Sequence, residues 1–167
     1  MQPEIFKDVE AEMAKELSVG DKAPAFTLAT DGGGKFALSK ADGPVVLYFY
    51  PKDDTPGCTT EAIDFTAALP QFEKLGVQVV GVSKDTVAKH DKFKAKHNLG
   101  ITLVSDEDGK LCEKYGVWVE KKNYGRTYMG IERSTFLIDD KGKIAAIWRK
   151  VRVKGHVEKV LEAAKAL

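Results

Sequence analysis

Residues 45–50 read Val45-Val46-Leu47-Tyr48-Phe49-Tyr50, an unbroken apolar run rich in β-branched and aromatic types. Continuous rather than alternating hydrophobicity means a strand covered on both faces, as a central strand of a parallel sheet is. Pro51 to Gly57 ends the run, and a helical period follows from Cys58, with Phe65, Leu69, Phe72 and Leu75 on one face. Pro70 is expected to kink or divide that helix. Val77 to Val82 is the next strand, Asp85 and Thr86 offer N-caps for a charged helix through His97, and Ile101 to Val104 is a further strand. The turn Asp106-Glu107-Asp108-Gly109 leads into a short helix around Leu111 to Tyr115. Asp139 to Lys143 reads as the turn of a hairpin joining Thr135–Ile138 to Ile144–Trp148. Val157, Val160, Leu161 and Ala164 mark a terminal amphipathic helix.

Strand–helix–strand crossovers first, then a hairpin and a helix, predict an α/β fold of thioredoxin-like type, a mixed central sheet with helices on both faces. Near the N-terminus, Ile5, Val9, Met13 and Leu17 recur at i+4 spacing, so residues 1–17 are expected to form an amphipathic helix ahead of one domain over 18–167. That helix either packs on its own domain or serves as a dimer contact. Asp31-Gly32-Gly33-Gly34 lacks the Lys-Ser/Thr of a phosphate loop and reads as a hairpin turn between short extended pieces.

Composition narrows the function. Twenty-six basic against 25 acidic residues leave a net charge of +1, which argues against nucleic-acid binding through a basic face. No apolar run suits a membrane span and no secretory leader is recognisable, so a cytoplasmic location is expected. The two cysteines, Cys58 and Cys112, are too few for a disulfide framework. His90, His97 and His156 form no metal-ligand spacing with them, so neither metal nor cofactor is expected.

Chemistry in open α/β sheets collects beyond the carboxyl ends of the strands. Cys58 falls there, at the expected start of a helix, where unpaired amides and the positive end of the helix dipole favour a thiolate over a thiol. Pro56 and Gly57 permit the tight turn, and Thr55 is expected to place its hydroxyl beside the sulfur.

At these residues the chain resembles the peroxiredoxins. Pro51-x-x-x-Thr55-x-x-Cys58 matches their active-site pattern, Gly20 to Leu28 is similar to their entry segment, and Arg133 to Asp139 is similar to the strand carrying a second site residue, an arginine. Thr55 to Glu61 is closest to the bacterioferritin comigratory protein, or peroxiredoxin Q, branch. The resemblance implies a thiol peroxidase that reduces hydrogen peroxide and organic hydroperoxides through a sulfenic acid on Cys58. It implies that Arg133 supplies positive charge, that Thr55 aligns the peroxide and that Pro51 shields the sulfur. Arg133 is preferred over Arg126, Arg149 and Arg152 because its motif matches. Glu61 either orients Arg133 or a loop amide, or faces solvent.

The resolving cysteine of this branch is missing from both of its usual places, taken here by Ile63 and Phe93. Cys112 is either buried and inert, a resolving thiol, or a site of partner pairing. The favoured reading is a one-cysteine cycle, with thioredoxin, glutaredoxin or a low-molecular-weight thiol as reductant and a monomer or homodimer as the working form. Trp118 to Ile131 departs from the core pattern and reads as a loop, either a pocket wall, a reductant dock or plain surface. A dithiol oxidoreductase is disfavoured because Thr55 stands where its first cysteine would be. A monothiol transferase and a redox-responsive binding protein or holdase are the alternatives for Cys58.

Overall fold

The computed structural model describes residues 16–167, so the expected helix over 1–17 lies almost entirely outside the described residues. Two short strands come first, β1 (Thr27–Ala29) and β2 (Lys35–Ala37), paired antiparallel across the glycine-rich turn. The apolar run forms β3 (Val45–Phe49), followed by helix α1 (Pro56–Lys74), β4 (Gln78–Ser83), α2 (Val87–His97) and β5 (Thr102–Ser105). Next come α3 (Lys110–Lys114), the hairpin β6 (Trp118–Asn123) and β7 (Arg126–Ile131), then β8 (Ser134–Ile138), β9 (Ile144–Trp148) and α4 (His156–Lys165).

The main sheet has the order β5-β4-β3-β8-β9. β3 runs parallel to β4, and β4 to β5, while β8 is antiparallel to β3 and to β9. β3 is therefore central, and its period of two divides the core. Val46, Tyr48 and Tyr50 face a cluster with Phe65 and Phe72 of α1, Phe93 of α2 and Val160 of α4. Val45, Leu47 and Phe49 face a second cluster with Phe36, Leu111, Cys112 and Tyr115. Both faces are apolar, which is why the run carries no alternation. This is the expected thioredoxin-like α/β arrangement.

Three local expectations are corrected. α1 starts at Pro56, two residues before Cys58, because proline at the first helical position has a preset φ and no amide to leave unpaired. Pro70 does not divide the helix. Its ring is exposed, so water can serve the carbonyl one turn back, while Ala68 and Phe72 on either side stay buried and hold the segment to the sheet. Trp118 to Ile131 is a hairpin rather than a loop, with six cross-strand pairs from Trp118↔Ile131 to Asn123↔Arg126. Its turn residues Tyr124 and Gly125 have φ 51° and 76°, the two positive values a tight primed hairpin turn requires.

Candidate active site

The site lies where β3 ends. Tyr50 extends the pairing by donating its amide to the Val82 carbonyl at 3.0 Å, and Pro51, with no amide, leaves the sheet. The chain then turns through Lys52–Thr55 into α1. Thr55 is the N-cap residue in extended conformation, and Cys58 is the third residue of the helix. The Cys58 amide is thus one of the first four without an intrahelical acceptor, and the sulfur sits at the positive end of 19 helical residues. The residue is 1% exposed.

Arg133 reaches the same place by register. β8 is antiparallel to β3, with Phe49 opposite Ser134, so the residue just before β8 lies beside the loop that leaves β3. Arg133 Nη2 donates to Cys58 Sγ at 3.4 Å, and Nη1 donates to Glu61 Oε1 at 2.7 Å. Gly57 makes room, since a Cβ there would lie 3.2 Å from Arg133 Nη2.

Glu61 does not face solvent: it is fully buried one turn below Cys58 and holds the guanidinium. Burial pushes its carboxyl up to about 7 although Arg133 pulls it down. Burial lowers and the Glu61 charge raises the guanidinium's affinity for its proton, with a net upward shift. A 2.7 Å contact to an obligate cation favours the ionised pair, which is complete once the carboxyl has titrated.

Thr55 spends its hydroxyl hydrogen inside the loop. Its hydroxyl donates to the Lys52 carbonyl at 2.9 Å, closing the loop on itself, and makes no hydrogen bond to the sulfur. A tight loop has an otherwise unserved carbonyl there, and the nearby hydroxyl takes it. The oxygen's lone pairs remain available. Pro51 stands half-buried at the strand exit.

Cys112 is far from this chemistry. Its thiol belongs to the cluster on the opposite face of the sheet from Cys58, and the two cysteines are free. Burial, followed by the neighbouring Asp106, pushes that thiol far up. Asp106 caps α3 by accepting from the amides of Leu111 and Cys112 at 3.2 and 2.9 Å, so the acidic turn serves the helix. Ile63 is exposed on α1 and Phe93 buried in α2.

Two contributors escaped sequence reasoning. Lys121 on β6 sits within electrostatic reach of Arg133 and Cys58, and burial, then Arg133, pull its ammonium down. Asp53, in the loop itself, is fastened to a buried histidine, His90 of α2, through Nδ1 at 2.7 Å. The spacing of 37 residues carries no local signal.

A thiol beside a clamped guanidinium at a helix start, on a thioredoxin-like sheet, defines a thiol-dependent redox enzyme. The AhpC/TSA family pattern matches residues 19–147, and the chain belongs to that family as a peroxiredoxin, an enzyme of the peroxidase class. A Coxiella burnetii relative is 55% identical over 146 residues, covering 87% of this chain and 97% of its own length. Peroxiredoxin Bcp of Bacillus subtilis is 51% identical over 150 residues, covering 89% and 96%. Among solved structures, Xanthomonas campestris bacterioferritin comigratory protein, studied for alkyl peroxide reduction, is 48% identical with a TM-score of 0.81, covering 84% of this chain and 90% of its own. A Xylella fastidiosa PrxQ variant is 43% identical with a TM-score of 0.86, covering 92% and 98%. Among the described residues no helix is long and apolar enough to cross a membrane.

Proposed function

We propose that Cys58 is the peroxidatic thiol of a one-cysteine cycle acting on hydrogen peroxide and alkyl hydroperoxides. The observation that carries this reading is the 3.4 Å hydrogen bond from Arg133 to the Cys58 sulfur, made by a guanidinium that Glu61 holds from the other side. The thiolate attacks one peroxide oxygen and the O–O bond breaks. The departing oxygen takes up a proton to leave as water or an alcohol, and Cys58 becomes a sulfenic acid. Arg133 faces both the sulfur and the charge that grows on the departing oxygen. The free lone pairs of Thr55 accept from the hydroperoxide O–H, and Pro51 limits water access from the strand exit.

An external thiol then attacks the sulfenic sulfur, releasing water and forming a mixed disulfide, and a second thiol equivalent frees Cys58 and leaves oxidised donor. Placement of Cys112 across the sheet supports this external route, because a Cys58–Cys112 bond would require the core to open. Thioredoxin, glutaredoxin and low-molecular-weight thiols all suit such a step. Two free buried thiols suit a reducing, cytoplasmic setting. The test is steady-state hydroperoxide reduction with each donor by wild type, Cys58→Ser and Cys112→Ser. Loss of turnover in Cys58→Ser alone is the expected result. A Cys58–Cys112 disulfide in non-reducing mass spectrometry of peroxide-treated protein, together with loss of turnover in Cys112→Ser, would overturn the one-cysteine cycle.

A further inference from the structure

Behind the site loop lies a buried polar cluster that the reaction above does not use. His90, on α2, is fully buried, and its two ring nitrogens face different groups. Nε2 is 2.9 Å from the Val104 carbonyl of β5, and Nδ1 is 2.7 Å from Asp53 Oδ2 in the loop. A carbonyl only accepts, so Nε2 carries a hydrogen. The Tyr50 hydroxyl donates to Asp53 Oδ1 at 2.5 Å, which leaves the contact between Oδ2 and Nδ1 in need of a proton of its own. Without it, a carboxylate would press against a bare nitrogen lone pair in a buried space. The arrangement therefore holds one more proton than separate aspartate and neutral imidazole would.

The groups facing this pair come from every neighbouring element. Tyr50 Oη, beyond the end of β3, lies 3.5 Å from His90 Nδ1. Asp85, after β4, accepts from the Asp53 amide at 2.8 Å and from Ser83 Oγ at 2.7 Å. Val104 closes the β5 side. A second tie runs from the same helix to the next loop residue: Asp54, at φ 60°, receives His97 Nε2 at 2.8 Å and Lys96 Nζ at 2.7 Å. Two successive aspartates of the loop are thus fastened to one helix. Asp54 takes a left-handed backbone, a region that aspartate enters more readily than most residues, and its carboxylate meets α2 at the surface.

We propose that His90, as the imidazolium partner of Asp53, is a positioning residue for the peroxidase site, holding residues 51–57 so that Pro51, Thr55 and the first turn under Cys58 stay in reactive geometry, and releasing them when the pair loses its shared proton. The inference rests on Cys58 being the reacting thiol. Burial alone would lower the proton affinity of His90, but Asp53, the Val104 carbonyl and Asp85 raise it, and the net direction is upward from 6.5. The sign follows: the tie is intact below the ordinary imidazole range and is lost as pH rises through the raised value.

Asp53→Asn is the discriminating variant, because an asparagine amide donates to a neutral Nδ1 and keeps the shape without the shared proton. Two measurements are made on the full-length reduced protein. The first is the ¹⁵N spectrum of His90, which is expected to show both nitrogens protonated at neutral pH in wild type and one bare nitrogen in Asp53→Asn. The second is the second-order rate with hydrogen peroxide, taken against pH together with amide exchange of the non-proline residues between 52 and 58, corrected for its intrinsic pH dependence. Wild type is expected to lose rate and loop protection together on the alkaline side, and Asp53→Asn to lack that limb. His90→Gln is expected to be slower by about tenfold or more at neutral pH, the scale on which small misplacements of reacting groups act. A bare nitrogen on wild-type His90 at neutral pH, or the same alkaline limb in both proteins, would overturn the proposal. If Asp53→Asn does not fold, the wild-type spectrum still decides. The spectrum is independent of turnover, so failure of this tie and failure of the Cys58 assignment are told apart.

Discussion

Arg133→Gln removes the positive charge beside Cys58 while keeping a hydrogen-bonding side chain of related length. At the observed 3.4 Å, attraction between a guanidinium and a thiolate is about 5 kcal/mol for an effective dielectric near 20. Glu61, 2.7 Å from the other terminal nitrogen, offsets part of that charge, and the side chain, 16% exposed, is partly screened by solvent. As the thiolate attacks, its negative charge passes to the departing oxygen, and a net loss of about 3 kcal/mol there corresponds to a rate lower by about 10². Attraction to the departing oxygen vanishes in the same substitution. The assay is the second-order rate of the fully reduced protein with hydrogen peroxide, measured in a single turnover so that the donor thiol does not intervene. Arg133→Lys restores the charge without the two-pronged fork that holds Glu61 and the sulfur together, and is expected to fall between the two. A rate for Arg133→Gln within about threefold of wild type, under 1 kcal/mol, would refute the electrostatic account.

Glu61 makes a prediction about pH. Its carboxyl is held up at about 7 against an ordinary 4.5, so the folded protein keeps a proton that the unfolded chain has released. Its contribution to stability is therefore greatest at low pH and is lost as pH rises through about 7. Glu61→Gln, neutral throughout, removes that slope. Its melting temperature relative to wild type is expected to rise from about pH 5 to about pH 8, and a constant difference would contradict the sign. In the sheet, a Cβ at Gly81 would lie 2.8 Å from the ring of fully buried Tyr48. Gly81→Ala is expected to cost about 1–3 kcal/mol by overpacking, read from denaturant unfolding.

The parts of this protein that were legible in its sequence are those whose causes are local. β3 announced itself because burial on both faces leaves no polar residue in six positions. The hairpin around Asp139 to Lys143 and the terminal helix α4 follow from turn chemistry and a 3.6-residue period. Cys58 was legible because strand, turn and helix start are consecutive in the chain. The β6–β7 hairpin was not, because its arms are mostly solvent-facing and the adjacent Lys121 and Lys122, with Arg126 opposite Asn123, leave no apolar alternation to read. Its cross-strand hydrogen bonds do not depend on side-chain polarity.

Sequence alone determined the sheet's central strand, the passage from strand through turn into helix around Cys58 and the family motif that singled out Arg133. Tertiary structure decided the rest of the site. The fate of Glu61 turned on which side of α1 faces the sheet, and its ion pair spans 72 residues. The hydroxyl of Thr55 went to a loop carbonyl rather than the sulfur. Cys112 was set on the far face of the sheet from Cys58, and His90 was drawn under the loop. Each of these depends on the packing of elements distant in the chain, because burial and charge act through space, whereas propensity and periodicity act along the backbone.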